Sequence, residues 1–139
     1  MTRRAGFTLI ELVVVIIVLG LLAGLVAPQI FGRVSEAKDV AAKTQMATLG
    51  AALDNYRLDN GSYPTTAQGL KALRENPGAA VAPAWRGPYL RKDVPTDPWG
   101  RAWVFTSPGV RNPNGFDLMT FGRDGKAGGA GEDADLIGQ

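Results

Sequence analysis

Histidine and cysteine are both absent from this 139-residue chain. Their absence removes whole chemistries. There is no disulfide framework, no cysteine nucleophile, no histidine base and no imidazole or thiolate ligand for zinc. A large excess of one charge is missing too. Fifteen Lys and Arg stand against thirteen Asp and Glu, a net of +2. The basic residues are scattered, so the footprint expected for nucleic-acid binding is lacking. No Gly-Lys-Ser/Thr phosphate loop occurs, so the chain brings no ATPase of its own.

What is present is unevenly placed. From Phe7 to Ala27, 21 residues carry one charge, Glu11, and one other polar side chain, Thr8. A helix of that length, at ~1.5 Å per residue, matches a hydrocarbon core ~30 Å thick. Arg3 and Arg4 precede the run, and the positive-inside rule keeps them cytoplasmic while the rest crosses. An ordinary secretory signal fits less well. The run is long, it carries a carboxylate near its start, and Ala23-Gly24-Leu25-Val26-Ala27 passes on without a clear small-x-small cleavage site. An acid costs ~2.5–3.5 kcal/mol at the centre of a membrane helix and less near an end, so Glu11 demands a partner. Gly20, Ala23, Gly24 and Ala27 would let a second helix approach closely.

The stretch Arg3-Arg4-Ala5-Gly6-Phe7-Thr8-Leu9-Ile10-Glu11 resembles the class III signal sequence of type IV pilins and type II secretion pseudopilins. The resemblance implies cleavage between Gly6 and Phe7 by a prepilin peptidase and N-methylation of Phe7. It implies that Glu11, fifth in the processed chain, pairs with the terminal ammonium of a neighbouring subunit. Two charges costly alone in lipid become tolerable as a pair. Loss of residues 1–6 takes two of the fifteen basic residues, leaving thirteen of each sign.

Beyond the apolar run, Pro28 is expected to kink a continuous helix. From Gln29 to Asp59 the pattern predicts an amphipathic helix. Ala42, Met46, Leu49, Leu53 and Tyr56 recur on one face, the spacing of core packing. Asn60-Gly61 and Pro64 end it. Thr65-Thr66-Ala67-Gln68 has the form of a capping box opening a short second helix, with Leu70 and Leu73 inward and Asn76-Pro77-Gly78 closing it. Gly87–Leu90, Trp103–Phe105 and Phe116–Thr120 are predicted strands. Pro95–Gly100 is a tight connector in which Trp99 is a packing anchor. Asp97, Asp117 and Asp124 are isolated acids without a catalytic partner set.

Tyr56–Thr66, Gln68-Gly69-Leu70 and Asp97-Pro98-Trp99-Gly100 narrow the resemblance to the major pseudopilins of type II secretion, the general secretion pathway protein G family. The likeness runs from Gly6 to about Ile137. Many type IV pilins close their C-terminal region with a disulfide; this chain has no Cys and needs another brace.

The tail, Phe121 to Ile137, holds Asp124, Glu132, Asp133 and Asp135 among many glycines. Such a segment buries little apolar surface, and its carboxylates repel. Two readings follow from the residues: a flexible acidic tail, or a loop ordered by a divalent cation. All-oxygen donors suit Ca2+, which takes 6–8 oxygens at ~2.3–2.6 Å, better than Mg2+ or Zn2+. The spacing is not that of an EF-hand. The family resemblance implies Ca2+ on Asp124, Asp133 and Asp135, with the backbone oxygens of Phe121 and Lys126. Ala134 separates the later acids and Leu136 precedes Ile137, so the direct ligands among Glu132, Asp133 and Asp135 stay open.

The expected protein is therefore α+β and pilin-like: a leader at 1–6, a membrane and filament-core helix at 7–27, and a periplasmic head at 28–139 with a short antiparallel sheet and a calcium loop near 121–137. The resemblance implies a non-enzymatic subunit of a short periplasmic filament, a homopolymer that drives folded proteins across the outer membrane. Its implied partners are minor pseudopilins, the prepilin peptidase and the inner-membrane assembly platform. Its implied place is the inner membrane, crossed once, with the N-terminus cytoplasmic and the head periplasmic. Two alternatives remain at this point: a type IV pilin of a surface fibre, and a membrane-tethered, calcium-dependent binding module.

Overall fold

A computed structural model describes residues 6–138, with their side chains except at 27–31. The basic residues Arg3 and Arg4 of the expected leader lie outside the described residues. The chain divides into two units, Met1–Ser35 and Glu36–Gln139. One helix, α1 (Leu9–Asn60), contributes to both and continues through Pro28, where the sequence predicts a kink.

In the first unit, Leu9–Val26 is long and apolar enough to cross a membrane, and none of it is buried. Leu, Ile and Val dominate this stretch, and the exposed side chains occur all around the helix. A helix apolar on every side needs lipid or other helices around it.

In the second unit α1 becomes one-sided. Ala42, Met46, Leu49, Leu53 and Tyr56 are all buried, the face that their spacing predicts. The helix ends as expected. Gly61, at φ +81°, donates its N–H to Arg57 O at 2.7 Å, closing the last turn in a conformation that suits glycine. Next comes the capping box: Thr65 N–H donates to Gln68 Oε1 at 2.7 Å and Gln68 N–H to Thr65 Oγ1 at 3.3 Å. The second helix it introduces is a single 3-10 turn, Leu70–Leu73, which buries Ala72 and Leu73.

The sheet is antiparallel with order β1 (Val104–Thr106), β2 (Asp117–Thr120), β3 (Leu136–Gly138). Two of the strands lie where the sequence predicts them. The expected strand at Gly87–Leu90 is not one. Tyr89 N–H donates to Leu73 O at 2.8 Å, and its ring stands edge-on to Tyr56 and Trp85. Pro88, which has no N–H, has no donor to offer a ladder. Conversely, β3 was not foreseen. It pairs Ile137 with Met119 and Leu136 with Thr120.

The sheet packs on α1. Leu118, at the centre of β2, is fully buried with Leu49, Leu53 and Tyr56. Gly138 lies close enough to Met46 that an added Cβ would meet its side chain at 3.3 Å. Phe105 and Phe116 pack tilted to each other at 6.0 Å, and Tyr63 stands edge-on to Phe116 at 4.9 Å. Each fully buried Leu here contributes about 1.5–3 kcal/mol.

Candidate functional site

Two places carry the residues singled out by the sequence. The first is the start of α1. Gly6 and Phe7 precede the helix, and the Phe7 ring is exposed. Thr8 and Glu11 form a reciprocal cap. Thr8 N–H and Thr8 Oγ1 each donate to Glu11 Oε2 at 3.2 Å, and Glu11 N–H donates to Thr8 Oγ1 at 3.3 Å. The carboxylate also sits at the positive end of the helix dipole. Glu11 thus has a local structural role in the single chain that the sequence reading passed over. The Thr-x-x-Glu spacing was the signal for it.

The second place is the tail between β2 and β3. Three turns shape it. Asp124 Oδ1 accepts Lys126 N–H at 3.0 Å, a side-chain turn that folds the chain back on itself. Asp135 Oδ2 accepts Gly128 N–H at 2.9 Å. Gly122, at φ +63°, brings the two walls together; a Cβ there would lie 2.7 Å from Ala134 O. Side chains then hold the loop from both sides. Arg101, just after the Pro95–Gly100 connector, reaches across and donates to Gly122 O at 2.5 Å and Arg123 O at 2.9 Å. Arg123 grips Asp133 with two bonds, Nε to Oδ1 at 2.8 Å and Nη2 to Oδ2 at 3.1 Å, while Nη1 donates to Glu132 Oε2 at 2.5 Å.

The electrostatics follow this pairing. The bond from Arg123 holds the Asp133 carboxyl below its ordinary range, and Asp133 in turn pushes the Arg123 guanidinium up. Asp124 and Asp135 have no such cation among the described residues. Asp135 Oδ1 is buried and accepts no hydrogen bond. A buried carboxylate oxygen without a donor is costly, and it is the feature of this loop that suits a cation. The full expected set is not gathered, however. Among the described residues, no group of three acidic side chains stands close enough to hold a metal ion. Asp133 faces Arg123, Asp124 its own turn and Asp135 the Gly128 turn.

Arg101 was not singled out by the sequence, and its position depends on Asp97. That carboxylate is 3% exposed. Its Oδ1 accepts Trp99 N–H at 3.0 Å and Arg101 N–H at 2.8 Å, and its Oδ2 accepts the Thr120 hydroxyl of β2. Asp117 is not isolated either. Backbone N–H groups of Arg111 and Asn112 donate to it at 2.9 and 3.2 Å, and the Arg111 bond leads in holding its carboxyl below the ordinary range.

A groove of about 520 Å3 lies in the second unit, between Leu70–Arg74 and the segment with Val94, Trp103 and Phe105. Its charges are paired, Lys71 with Glu75 at 3.1 Å and Arg74 with Asp93 at 3.3 Å. None of the residues singled out as ligands or processing sites lines it.

Comparison with known proteins gives three results. Residues 29–139 match the family model described as type II secretion system (T2SS), protein G, and residues 1–27 match the prokaryotic N-terminal methylation motif. The chain is 45% identical to the type II secretion system core protein G of Pseudomonas aeruginosa, covering 96% of this chain and 94% of that protein. It is 42% identical to the protein of the same description in Vibrio cholerae, covering 98% and 92%. Among solved structures, it is similar to the major pseudopilin from the type 2 secretion system of enterohaemorrhagic Escherichia coli. The TM-score is 0.63 at 33% identity, over 77% of this chain and 90% of that one.

Proposed function

This chain belongs to the type II secretion system protein G family, and from that premise we propose how its two sites serve it. It is a structural subunit of the pseudopilus, a homopolymeric filament that works with the other components of the secretion system, and it is not an enzyme. The observation that carries the rest is the unburied apolar run Leu9–Val26. A surface of that kind is satisfied by lipid before assembly and by copies of the same helix afterwards.

Processing between Gly6 and Phe7 by the prepilin peptidase would free a Phe7 ammonium and remove Arg3 and Arg4. The N-terminus then loses the basic anchor that holds it at the cytoplasmic face, with the head on the periplasmic side. Glu11 would accept the ammonium of a neighbouring subunit. One of its oxygens caps Thr8, and the other accepts no hydrogen bond among the described residues. Polymerisation on an inner-membrane platform, with minor pseudopilins, would then extend a short rod that moves folded proteins through the outer membrane.

In the head, Ca2+ is the ion that the tail suits. Asp124, Asp133 and Asp135, with the carbonyls of Phe121 and Lys126, would hold it, and the unpartnered Asp135 Oδ1 supports the assignment. When bound, the ion supplies positive charge to a loop whose acids outnumber its bases. Arg101 holds the carbonyls of Gly122 and Arg123 in place in the same loop.

Two measurements test this reading. In cells lacking their own copy of the subunit, the wild-type chain is expected to restore export. Glu11→Ala is expected to be cleaved at Gly6–Phe7 yet fail to polymerise. Full export by Glu11→Ala would refute the assembly role, and export by an uncleaved chain would refute the processing step. For calcium, the full chain in detergent micelles is expected to unfold at a higher temperature in Ca2+ than in chelator, because a ligand of the folded state stabilises it by mass action. Asp124→Ala is expected to abolish the difference. An unchanged wild-type midpoint would remove calcium from the account.

A further inference from the structure

The loop between β1 and β2 ends in a side chain that nothing covers. Val110 is 84% exposed, and no large apolar side chain among the described residues is more so. Exposed apolar residues scattered singly are ordinary and need no partner. This one is held out by a rigid frame. The Asp117 carboxylate accepts the N–H groups of Arg111 and Asn112, the two residues that follow the tip, at 2.9 and 3.2 Å. Gly109 N–H donates to Gly115 O at 3.2 Å, and Gly115 N–H to Asn112 O at 3.0 Å. At the base of the loop, Ser107 N–H donates to Thr66 Oγ1 at 2.9 Å, and that hydroxyl donates back to Ser107 O at 3.1 Å. A loop fixed in this way presents its tip with little left to order when a partner arrives.

A hollow for such a tip exists on the same head. The groove beside Leu70–Arg74 holds about 520 Å3, within the ~300–1,000 Å3 of sites that take a ligand, and Leu70, Val94, Trp103 and Phe105 give it apolar walls. Val110 of the same chain does not fill it, or it would not be exposed. The two rims also match in charge. Arg111, beside the tip, is exposed and has no ion pair among the described residues. Asp93, on the groove, has a side chain 95% exposed and gives one oxygen to Arg74, at 3.3 Å.

Resting on the homopolymeric reading above, we propose that the Val110 tip of one copy seats in the groove of the next copy of this chain, with Arg111 against Asp93. A knob and a hollow at different places on one chain make a head-to-tail contact, and each copy that docks keeps its own groove free for another. Repeated with a rotation that does not close, such a contact builds an open helix rather than a pair. One valine and one ion pair bury far less than the ~1,200 Å2 of a stable complex, so heads alone do not associate through it. Once the apolar helices hold copies side by side, the contact becomes intramolecular in effect, and its small strength then counts. It fixes which way each head faces along the rod, a task that the apolar run and Glu11 leave open.

The chain has no cysteine, so introduced thiols report without background. The full chain carrying both Val110→Cys and Thr96→Cys, the latter exposed on the groove, is expressed in cells lacking their own subunit, and its filaments are collected and oxidised. A ladder of disulfide-linked dimers, trimers and longer products is expected on a non-reducing gel. Each single cysteine is expected to stay monomeric; a dimer from Val110→Cys alone means that two tips meet, and overturns the docking. Val110→Ser is expected to lower the filament yield on the order of tenfold, the weight of one anchor at an interface. Its urea midpoint is expected to stay that of wild type, because the side chain is exposed in the single head. Arg111→Glu added to the cysteine pair is expected to weaken the ladder, and an undiminished ladder overturns its pairing with Asp93. No ladder from filaments of normal yield, or a wild-type yield from Val110→Ser, overturns the docking and leaves the homopolymer standing. No filaments from the unaltered chain overturns both.

Discussion

Replacing Asp97 by alanine should cost the head more than any other single change of a polar residue described here. The carboxylate is almost wholly buried and accepts three donors: the N–H groups of Trp99 and Arg101 and the hydroxyl of Thr120. A hydrogen bond to a charged acceptor is worth about 1.5–3 kcal/mol, and a donor left buried and unpaired costs about 1–3 kcal/mol. The three are coupled, and water can reach the turn once the side chain is gone, so the full sum is not realised. The expected loss for Asp97→Ala is about 3–5 kcal/mol, roughly 15–30 °C in a head of this size. Asp97→Asn keeps the shape and an acceptor for the two N–H groups, while its amide can donate to Thr120. It should cost about 1 kcal/mol. The assay is urea unfolding of the full chain in micelles followed by tryptophan fluorescence, with Trp99 adjoining the altered turn. There is a second readout. Asp97 positions Arg101, so Asp97→Ala should also release the Gly122 and Arg123 carbonyls and speed protease cleavage within 121–135. If Asp97→Ala loses less than about 1 kcal/mol, or matches Asp97→Asn, the network does not hold the head as described.

Leu53→Ala, in the buried face of α1, is expected to lose about 2–5 kcal/mol in the same urea experiment, whereas Leu58→Ala, which is exposed on the same helix, should stay within about 0.5 kcal/mol. Thr8→Val removes the hydroxyl of the cap and should weaken helicity at the start of α1, seen as faster amide exchange at Leu9–Leu12 in micelles, without altering the head's unfolding. Stability should fall at both ends of the pH scale. Asp117 titrates below its ordinary 3.8 in the fold, so it adds stability above that value and loses it as pH falls further; Asp117→Asn should flatten the acid limb. Burial raises Tyr56 and Tyr89 above 10.0, so they stabilise the head below that pH and cease to do so as pH rises through their folded values. Thermal midpoints across the pH range, with a Tyr89→Phe chain for the alkaline limb, check both signs.

The parts of this fold legible in the sequence are those governed by local rules. The stripe from Ala42 to Tyr56 reports helical period, and burial follows it residue by residue. Thr65 and Gln68 spell a capping box, and the two side chains and two N–H groups meet as that spelling requires. Less legible were features decided by distant contacts. Leu136-Ile137-Gly138 is too short to show alternation and becomes a strand because Met119 and Thr120 stand opposite. Gly87–Leu90 has a strand-like composition but is claimed by Leu73 and the Tyr56–Tyr89–Trp85 cluster. The tail shows the same division. Its acidic, glycine-rich character could be read from the composition. Its arrangement could not, because Arg123 sits among those acids in sequence and only the turns at Gly122 and Asp124 decide which of them it grips.

The placement of the tail between β2 and β3 has a kinetic side. Residues 121–135 must close before the last strand can join the sheet and lay Gly138 against Met46. The cost of closing a chain grows with the logarithm of its length, and a segment this rich in glycine has much freedom to give up. Arg123 and Asp133, ten residues apart, clip most of that length into a smaller ring before the strand arrives. The guanidinium that holds these acids therefore acts on the rate of sheet completion as well as on the finished head. A subunit whose clip is loose would spend longer with β2 uncovered, its edge open to the neighbouring chains that crowd the membrane before they are built into a filament.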